Sequence, residues 1–416
     1  MPKIKNVFKK MNSKIVLKSL LLYILFFVSL TVTAQNDQKF FNKGVSKVRN
    51  IADKIARSKF DSTYVALPEH EWMVFTSFNG NASKYHLRVP MPDMEKEWSD
   101  DLLATYPNLH NMDLYTYDMD LHHNNMSVSV GVAYRTIRLK YSFNVTKGND
   151  QQFTAESLGS RFGFMINYRK TKKMKGDMYN AMTGFLSMIA NMDLSKEEDI
   201  NVDDVIKAGT APIEDRYNDY QLLHLQAHYV FNYKHFSYSA GRSASRIQKK
   251  SAGSPIALID FYQSRAKFAD QFIVGVNERY KTWKFAIGGG YGYNFTPNAG
   301  KLLIHASALP TINILRNSTY HTTFVYPEEY DKMSEEAKQI YQKNLEDTEK
   351  QVNDMVDKTP KITLNFTARL SATWNIDKHF VLGAFGSFQH SNFINKKDYS
   401  IRENFYSGSV WLGYRF

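Results

Sequence analysis

Two histidines and a group of serines are the first residues whose types and spacing suggest chemistry. His224 and His228 stand four positions apart, so on a β-strand they share a face. The serines that follow in alternation are Ser237, Ser239, Ser243 and Ser245. If the two segments are neighbouring strands, a serine could approach a histidine and act as a nucleophile. Small serines also suit a crowded strand face, and a catalytic triad is defined by a geometry that spacing does not supply. We therefore assign no catalytic residue.

Metal and cofactor chemistry has less support. His122 and His123 are adjacent, so on a strand they point to opposite faces, and with Asp118 and Asp120 they would form only a weak surface site. The chain has no cysteine, which excludes disulfides and thiolate metal sites. A nucleophile elbow, a P-loop and a dinucleotide fingerprint are all missing from the sequence. We predict neither a metal site nor a cofactor.

A second group of candidate residues is basic. These residues alternate with large apolar ones along several segments, so on a strand they occupy the face opposite the apolar side chains. They are Arg138, Lys140, Arg161, Arg169, Lys284 and Arg369. Facing a closed interior, such cations would favour anions. The alternative is that they pair with carboxylates of an inner plug.

The elements that must position these residues have a period of two. In SVSVGVAYR (127–135) the valines share one face with Tyr134, while serine, glycine and alanine share the other. Segments with the same alternation are IRLKYSFNV (137–145), KTWKFAIGGGYGYNF (281–295) and KITLNFTARLSATWNI (361–376). They are longer than the strands of about 5–6 residues usual in soluble proteins. Aromatic residues at their ends and basic residues on the polar face are typical of transmembrane β-strands.

We predict an all-β fold, a transmembrane antiparallel β-barrel of about twelve strands (range 10–14). Closure follows because an open sheet edge in lipid would leave backbone groups unpaired, at several kcal/mol each. A large soluble β-sandwich is the alternative. A strand at 71–78 with a partner near 112–120 would raise the count to about fourteen. The candidate strands lie near 127–135, 137–146, 159–169, 220–231, 236–248, 254–263, 270–280, 283–295, 301–313, 361–375, 379–391 and 402–416.

The N-terminal segment is typical of an exported protein. Six lysines precede the apolar run SLLLYILFFVSL (19–30), and Val32 and Ala34 supply small residues before a cleavage site. We predict a signal peptide at 1–34, cleaved near Ala34–Gln35, with an uncleaved anchor as the alternative. Its removal leaves 47 basic and 41 acidic residues, so the raw net charge of +12 does not indicate nucleic-acid binding. Apolar residues at helical spacing then predict a periplasmic amphipathic helix within 35–60.

The other end, YSGSVWLGYRF (406–416), alternates in the same way as the predicted strands. The alternation places Tyr414 and Phe416 on the lipid face, in a periplasmic aromatic girdle, and Trp411 among the inward positions. A terminal aromatic residue is similar to the assembly signal that the barrel-insertion machinery reads. We therefore expect that machinery and outer-membrane lipids to be partners of an outer-membrane protein with a barrel at 61–416.

The connections suit a barrel with both ends in the periplasm. The short segments NYKH (232–235), TPNAG (296–300) and NIDKH (375–379) become periplasmic turns. Two long insertions with helical segments, near 170–218 and 316–360, become extracellular loops. They are acidic: residues 193–216 hold eight acidic and three basic side chains, and residues 327–358 hold ten and five.

The segment HFSYSAGRSASRIQKKSAGS (235–254) departs from this pattern. Phe236 and Tyr238 are in phase with Arg242 and Arg246, and both pairs cannot face lipid, where an arginine costs about 2–4 kcal/mol. We predict either a bulge near Gly241 or a strand that leaves the membrane before the arginines.

The end of this segment resembles a hallmark of an uncharacterised family of exported, outer-membrane β-barrel-like proteins common in Bacteroidota. Other matching segments are DSTYV (61–65), SVGVAYRTIRLKYSF (129–143) and GGGYGYNF (288–295). The resemblance implies an outer-membrane barrel of unknown function, with no active site to carry over. The residues of the hallmark are Gln248, Lys249, Lys250, Ser251, Ala252, Gly253 and Ser254.

Three functional hypotheses follow. The first is a porin-like pore or surface scaffold with a basic lumen. The second is a barrel enzyme acting on lipid or lipopolysaccharide. The third is an envelope-assembly component that binds a protein or small-molecule partner, unknown at this point, through its acidic loops.

Overall fold

The structure is a computed structural model, and it describes part of the chain. The described residues are 60–90, 100–101, 104–106, 109, 112, 114, 116–145, 150–191, 200–213, 218–269, 276–324, 331–357, 362–395 and 399–416. They belong to one compact unit that begins at Ser58. The predicted signal peptide (1–34) and all but the last residue of the segment at 35–60 lie outside the described residues.

The described chain is mostly strand. In chain order the elements are β1 (Val65–Ala66), β2 (Trp72–Pro90), β3 (Thr116–Tyr134), β4 (Ile137–Asn144), β5 (Gln151–Leu158), β6 (Phe162–Lys172), β7 (Lys175–Asn180), α1 (Ala181–Asn191), α2 (Val202–Ala208), β8 (Thr210–Ile213), β9 (Asp219–Val230), α3 (Tyr238–Ser243), β10 (Ile247–Gln248), β11 (Ala252–Ala269), β12 (Val276–Asn298), β13 (Leu302–Phe324), α4 (Glu335–Asp357), β14 (Leu364–Asn375), β15 (Phe380–Asn395) and β16 (Ser400–Arg415).

Twelve antiparallel strands, all except β1, β7, β8 and β10, form a closed barrel. The barrel closes because β2 pairs with β3 on one side and with β16 on the other. The predicted closed antiparallel barrel of about twelve strands is therefore confirmed. Within the described residues, no helix has both the length and the hydropathy that crossing a bilayer requires.

The membership of the barrel differs from the prediction. The described part of the segment near 270–280 (276–280) and the segment 283–295 belong to the single strand β12, and 236–248 is not a strand of the wall. The strands β2 and β5 take the two places. β2 begins within the optional strand predicted at 71–78, but its residues 72–78 pair with 128–134 of β3 and not with the predicted partner near 112–120. The sequence QQFTAESL of β5 has Phe153 as the one large apolar residue of its outward face, so its alternation is too weak to recognise.

The two ends of the barrel are built differently. The end that we call the turn end carries the connections 135–136, 159–161, 299–301 and 376–379 together with Phe416. NYKH, TPNAG and NIDKH all fall at the turn end. In the last of these, N–H groups of Phe380 and His379 donate to Asp377 and hold the pKa of its carboxyl below the usual range. The opposite end, which we call the insertion end, carries β7, α1, α2 and β8 after β6, and α4 after β13.

An apolar band covers the outside of the barrel next to the turn end. Large side chains there are exposed, such as Leu370 at 60% and Val410 at 57%. On β16, Tyr406, Leu412, Tyr414 and Phe416 also face outward, whereas Ser409, Trp411 and Arg415 are buried inside. The stretch from Tyr406 to Phe416 is about 33 Å long, or about 25 Å high at a strand tilt of about 40°. That height equals the apolar band of outer-membrane barrels, about 25 Å.

The interior is filled with side chains at the insertion end. Aromatic rings from five strands form a buried layer, with centroid separations of 5.3 Å for Tyr85–Tyr220, 5.7 Å for Tyr85–Phe268 and 5.0 Å for Tyr280–Tyr320. The hydroxyls of Tyr220 and Tyr320 donate to Glu403 and Glu278 at 2.8 and 3.0 Å. The carboxylates in this half of the barrel are thus paired within the barrel itself.

The helix α4 covers a gap in the wall. β14 pairs with β13 only from Leu302 to Ile312, so the rest of β13 has an open edge on that side. The side chain of Asn353 accepts from the N–H of Tyr320 at 2.8 Å and donates to the carbonyl of Tyr320 at 3.1 Å, as a neighbouring strand would. Val352 is 2% exposed and packs in the interior cluster. The acidic insertion therefore has a structural role in closing the wall.

Replacing Asn353 with alanine tests this role. We expect the free energy of unfolding to fall by about 1–3 kcal/mol, because two buried backbone groups of Tyr320 lose their partner. Hydrogen exchange at the amide of Tyr320 should become faster. Asn344→Ala is the matched control, since Asn344 is exposed on the same helix. Equal exchange in the two variants would contradict the prediction.

Candidate functional site

The connection between β9 and β11 folds back into the barrel. Its central part, which we call the inner segment (236–248), contains α3, and most of its residues are buried. Side chains of the wall hold its backbone: Ser371 donates to the carbonyl of Gly241 at 2.6 Å, Arg415 to that of Ala244 at 2.8 Å, and Asn294 to that of Ser237 at 2.9 Å. The segment therefore lies inside the barrel at the turn end.

Local chemistry explains why this segment forms a short helix and not a strand. Ser237 is the N-cap, and its hydroxyl accepts from the N–H of Ala240 at 3.2 Å. Ala244 ends the helix in the left-handed region at φ 54°. The predicted strand at 236–248, with a bulge or an exit from the membrane, is therefore wrong. Arg242 stands one helical turn after Tyr238 in α3, and Arg246 is buried beyond the end of the helix, so both arginines lie inside the barrel.

Gly241 lies flat against the ring of His305, and a Cβ there would come within 2.3 Å of that ring. We expect Gly241→Ala to displace α3 from the wall, because both groups are fixed. A cysteine at Ser243 would report the change, since the chain has no other cysteine. It should react faster with a charged thiol reagent in the Gly241→Ala variant. The control is Gly386→Ala, where nothing lies within 4 Å of the added carbon. Unchanged reactivity would contradict the prediction.

The inner segment is anchored by the two sequence motifs singled out above. β1 pairs with β10, with Val65 opposite Gln248. The N–H of Lys249 donates to the carbonyl of Tyr64 at 2.7 Å, and the Lys249 ammonium donates to the carbonyl of Ser62 at 3.1 Å. Lys250 lies 5.1 Å from the centroid of the Tyr64 ring. DSTYV and QKKSAGS therefore meet across the mouth of the barrel.

Gln248 is the centre of this anchor. It is 1% exposed, and its amide nitrogen donates to the carbonyls of His235 at 2.6 Å and Lys250 at 2.8 Å. Its amide oxygen accepts from the N–H of Ser237 at 2.9 Å and from Asn294 at 3.0 Å. One side chain thus joins both ends of the inner segment to β12.

The rest of the hallmark leads from the inner segment into the wall. Ser251 accepts from the N–H of Thr296 at 2.9 Å, and Ser254 accepts from the N–H of Asn232 at 2.9 Å. Ala252 begins β11, and a Cβ at Gly253 would come within 2.3 Å of the Tyr291 hydroxyl. These residues hold the inner segment, and none of them lines the cavities described below.

Beside α3 the interior holds a cavity of about 50 Å³, which we call the basic chamber. The cationic side chains that line it are Arg138, Lys140, Arg242 and Arg369, and Glu156 is the carboxylate among them. Arg242 pairs with Glu156 at 3.1 Å. The guanidinium carbons of Arg138 and Arg369 each lie 3.9 Å from a ring centroid, over Phe75 and Phe385. Three positive charges in the chamber are left without a carboxylate.

The structure places the six predicted basic residues in three different surroundings. Arg138, Lys140 and Arg369 meet in the chamber. Arg169 pairs with Glu403, and Lys284 donates to Asn365 at 2.6 Å; both are buried inside the barrel but away from the chamber. Arg161 lies in the exposed turn before β6, where it donates to the hydroxyl of Tyr229 at 2.9 Å. Because Tyr229 occupies an outward position of β9, Arg161 is on the outer surface and not in the lumen.

The sequence does not predict two residues of the chamber, Arg242 and Glu156. The alternation places Arg242 on a wall strand, although its phase conflict with Tyr238 indicates that the segment leaves the wall. Glu156 lies in β5, the strand with the weakest alternation. The pattern therefore predicts the wall residues of the chamber and neither member of its ion pair.

Two smaller cavities lie on either side of the chamber along the wall formed by β2, β3 and β16. The first, at the turn end, measures about 30 Å³ and is lined by Glu71, Arg135 and Arg415; we call it the mouth cavity. The second measures about 20 Å³ and is lined by His123, Asp150 and Arg169; we call it the rim cavity. It lies where the barrel wall is lowest, because β4 and β5 have only eight residues each.

The partitions between these cavities differ in chemistry. An apolar cluster that includes Met73, Phe75 and Trp411 separates the mouth cavity from the chamber. Small polar side chains separate the chamber from the rim cavity: Asn79 donates to Ser129 at 2.7 Å, and Ser129 bonds Ser142 at 2.7 Å. Each cavity has room for only one to a few waters at about 10–15 Å³ per water. The three cavities are separate from one another in the described part of the chain.

The histidines and serines do not form an accessible active site. His224 bonds Asp260 at 2.9 Å, and the serines predicted opposite it lie in the inner segment. A different relay exists: Asn294 bonds Nδ1 of His305 at 2.8 Å, and Nε2 of His305 bonds the hydroxyl of Ser307 at 3.2 Å. His305 is completely buried under Gly241, so this relay supports the inner segment and has no cavity for a substrate.

Metal ligands do not cluster either. Among the described residues, no three His, Asp or Glu side chains are placed to hold a metal ion. His122 is exposed, whereas His123 is turned inward and bonds Asp150 at 2.5 Å.

A family model described as a domain of unknown function, DUF4421, matches residues 116–416, which is more than half of the chain. The chain belongs to the DUF4421 family. The match begins at the first residue of β3, so β2, which closes the DUF4421 barrel, lies before it. No curated protein matches the chain.

Solved structures that resemble this DUF4421 chain include outer-membrane barrels. The outer membrane protease OmpT of Escherichia coli has a TM-score of 0.38 at 9% identity, covering 84% of this chain and 97% of that one. The translocator domain of the autotransporter NalP of Neisseria meningitidis has a TM-score of 0.30 at 10% identity, covering 93% and 99%. The β-domain of the Bordetella autotransporter BrkA has 0.30 at 8%, covering 82% and 99%. Likeness of this degree carries no information on activity.

Proposed function

We propose that the protein is an outer-membrane barrel that passes small anions along the wall formed by β2, β3 and β16, and that the inner segment keeps this route narrow. The observation that supports the proposal best is the charge of the basic chamber. Four cationic side chains face a cavity with one carboxylate, midway between the mouth cavity and the rim cavity. Rings of arginine and lysine are the usual basis of anion selectivity.

The location in the outer membrane is part of the proposal. Its support is the outward apolar band of about 25 Å, the height that such a membrane requires. A tightly folded barrel should run differently on a gel before and after boiling, and it should fractionate with the envelope. A chain that migrates identically and fractionates with soluble periplasmic protein would contradict the location.

The anion route is tested in planar bilayers with the refolded chain. We expect small conductance steps with a reversal potential that indicates preference for anions. Replacing Lys140 and Arg369 with glutamate should reverse the preference, because it changes the chamber from three excess positive charges to one excess negative charge. The control is Arg161→Glu, which changes the charge outside the barrel. A silent unaltered barrel, or a reversal by the control alone, would refute the proposal.

The apolar cluster between the mouth cavity and the basic chamber gives a reason to expect intermittent conduction. Phe75 and Trp411 lie edge to face at 6.4 Å, and the guanidinium of Arg138 lies 5.3 Å from the Trp411 ring. A hydrophobic constriction can close a route by excluding water. We therefore place the gate at Trp411, between the mouth cavity and the basic chamber.

A further inference from the structure

We propose that the basic chamber is a binding site for one tetrahedral oxyanion of the phosphate or sulfate class. This inference rests on the proposed function, since it names the anion that the chamber would select. The evidence for it is that hydrogen-bond donors in the chamber lack an acceptor, and that the charge and volume of the chamber match those of such an anion.

The first step concerns donors. Arg369 and Lys140 both line the chamber, and its carboxylate, Glu156, pairs with Arg242 and not with either of them. The Nε of Arg369, the Nε of Arg242 and the hydroxyl of Ser409 are buried without a partner. A buried donor of this kind needs an acceptor from outside the protein chain, which is either water or an ion.

The second step concerns charge. Water could accept from these donors, but it would leave three positive charges uncompensated in the interior. The penalty for desolvating an ion is several kcal/mol even after relaxation, so unpaired charges at this density require a counter-ion. In the other half of the barrel Glu278 and Glu403 are satisfied by tyrosine hydroxyls and Arg169, so they are not that counter-ion.

The third step concerns shape. Phe385 covers one face of the Arg369 guanidinium and leaves its edge free to donate. A guanidinium edge donates two parallel hydrogen bonds, which suits an oxyanion better than a halide. The volume of about 50 Å³ has room for about three to five waters at about 10–15 Å³ each, a range that includes the four oxygens of a phosphate or sulfate. Lys140 and the Ser409 hydroxyl would complete the donor set.

The test is calorimetric titration of the full refolded chain in detergent with sodium phosphate and with sodium sulfate, in chloride at constant ionic strength. We expect saturable binding, weakened about tenfold or more by Arg369→Gln and by Lys140→Met, because each removes a charged donor. Arg161→Gln, a loss of the same charge outside the barrel, should bind as the unaltered chain does. Gel mobility before and after boiling verifies that each variant is folded.

Two results would overturn the inference: no saturable binding by the folded unaltered chain, or an equal loss of affinity in Arg161→Gln. The titration is independent of conduction. Binding without any conductance would refute anion passage and support the binding site. Anion-selective conductance without saturable binding would refute the binding site and leave anion passage standing.

Discussion

Alanine in place of Trp411 is expected to turn a barrel that conducts rarely into one that conducts most of the time. The indole, 5% exposed, fills the partition between the mouth cavity and the basic chamber, and Gly383 provides the space for its ring. Removing it leaves a gap that water can enter from the turn end. Lowering a hydrophobic barrier by ~1.4 kcal/mol raises the rate of crossing about tenfold. We therefore expect the open fraction to rise about tenfold or more.

The measurement is single-channel recording at fixed voltage. Trp374→Ala is the matched control, because Trp374 is 50% exposed on the outer face and its removal leaves the interior unchanged. The Trp411→Ala variant should keep its anion preference, since the chamber retains all four cations. An open fraction equal to that of the unaltered chain would place the gate elsewhere, for example at the serines and Asn79.

The second large effect is expected at Gln248. Methionine has a similar volume and cannot make the four strong hydrogen bonds of the amide. The N–H of Ser237 would be left in the interior without an acceptor, and the amide nitrogen of Asn294 would lose one of its two acceptors, at about 1–3 kcal/mol each. We expect Gln248→Met to lower the stability of the inner segment by about 3 kcal/mol or more while the wall remains folded.

A cysteine at Ser239 measures this release directly, because Ser239 is fully buried in α3. Its reaction with a charged thiol reagent should be slow in the unaltered background and faster by at least about a hundredfold with Gln248→Met, as ~3 kcal/mol corresponds to that ratio. The control is Gln339→Met on the exposed side of α4. Slow reaction in both variants would show that the wall alone retains the segment.

The wall of the barrel could be predicted because the side chain at each position depends on whether that position faces lipid or the interior. Lipid on one side and polar groups on the other impose a period of two, and Val410, Trp411 and Leu412 follow it residue by residue. The strand count of about twelve is confirmed because two surplus strands in the prediction are offset by β2 and β5, which its list of twelve does not contain. Where apolar side chains are few, as in β5, the period gives no signal, although the ladder between β4 and β5 is complete.

The contents of the barrel could not be predicted in the same way. Residues of the inner segment are surrounded by protein on all sides, so their sequence follows no single period. The alternation placed Arg138, Lys140 and Arg369 on inward faces, but only the closed structure shows that Arg242 joins them and adds to their charge. The sequence left open whether an inner plug would neutralise the basic residues; the inner segment brings a cation and an ion pair with Glu156 instead.

The position of the anchor has a consequence for biogenesis. The inner segment belongs to a connection between neighbouring strands, so it can occupy the interior as soon as β9 and β11 pair. The contacts that anchor it, however, include the pairing of β10 with β1. β1 immediately precedes β2, the strand that pairs with β16 and closes the barrel. Anchoring the segment therefore requires the chain that precedes β2, at one end of the sheet, to reach β10 between β9 and β11. We expect the inner segment to be unanchored until the last step of barrel assembly. This order of assembly prevents an anchored inner segment from blocking the closure of the barrel.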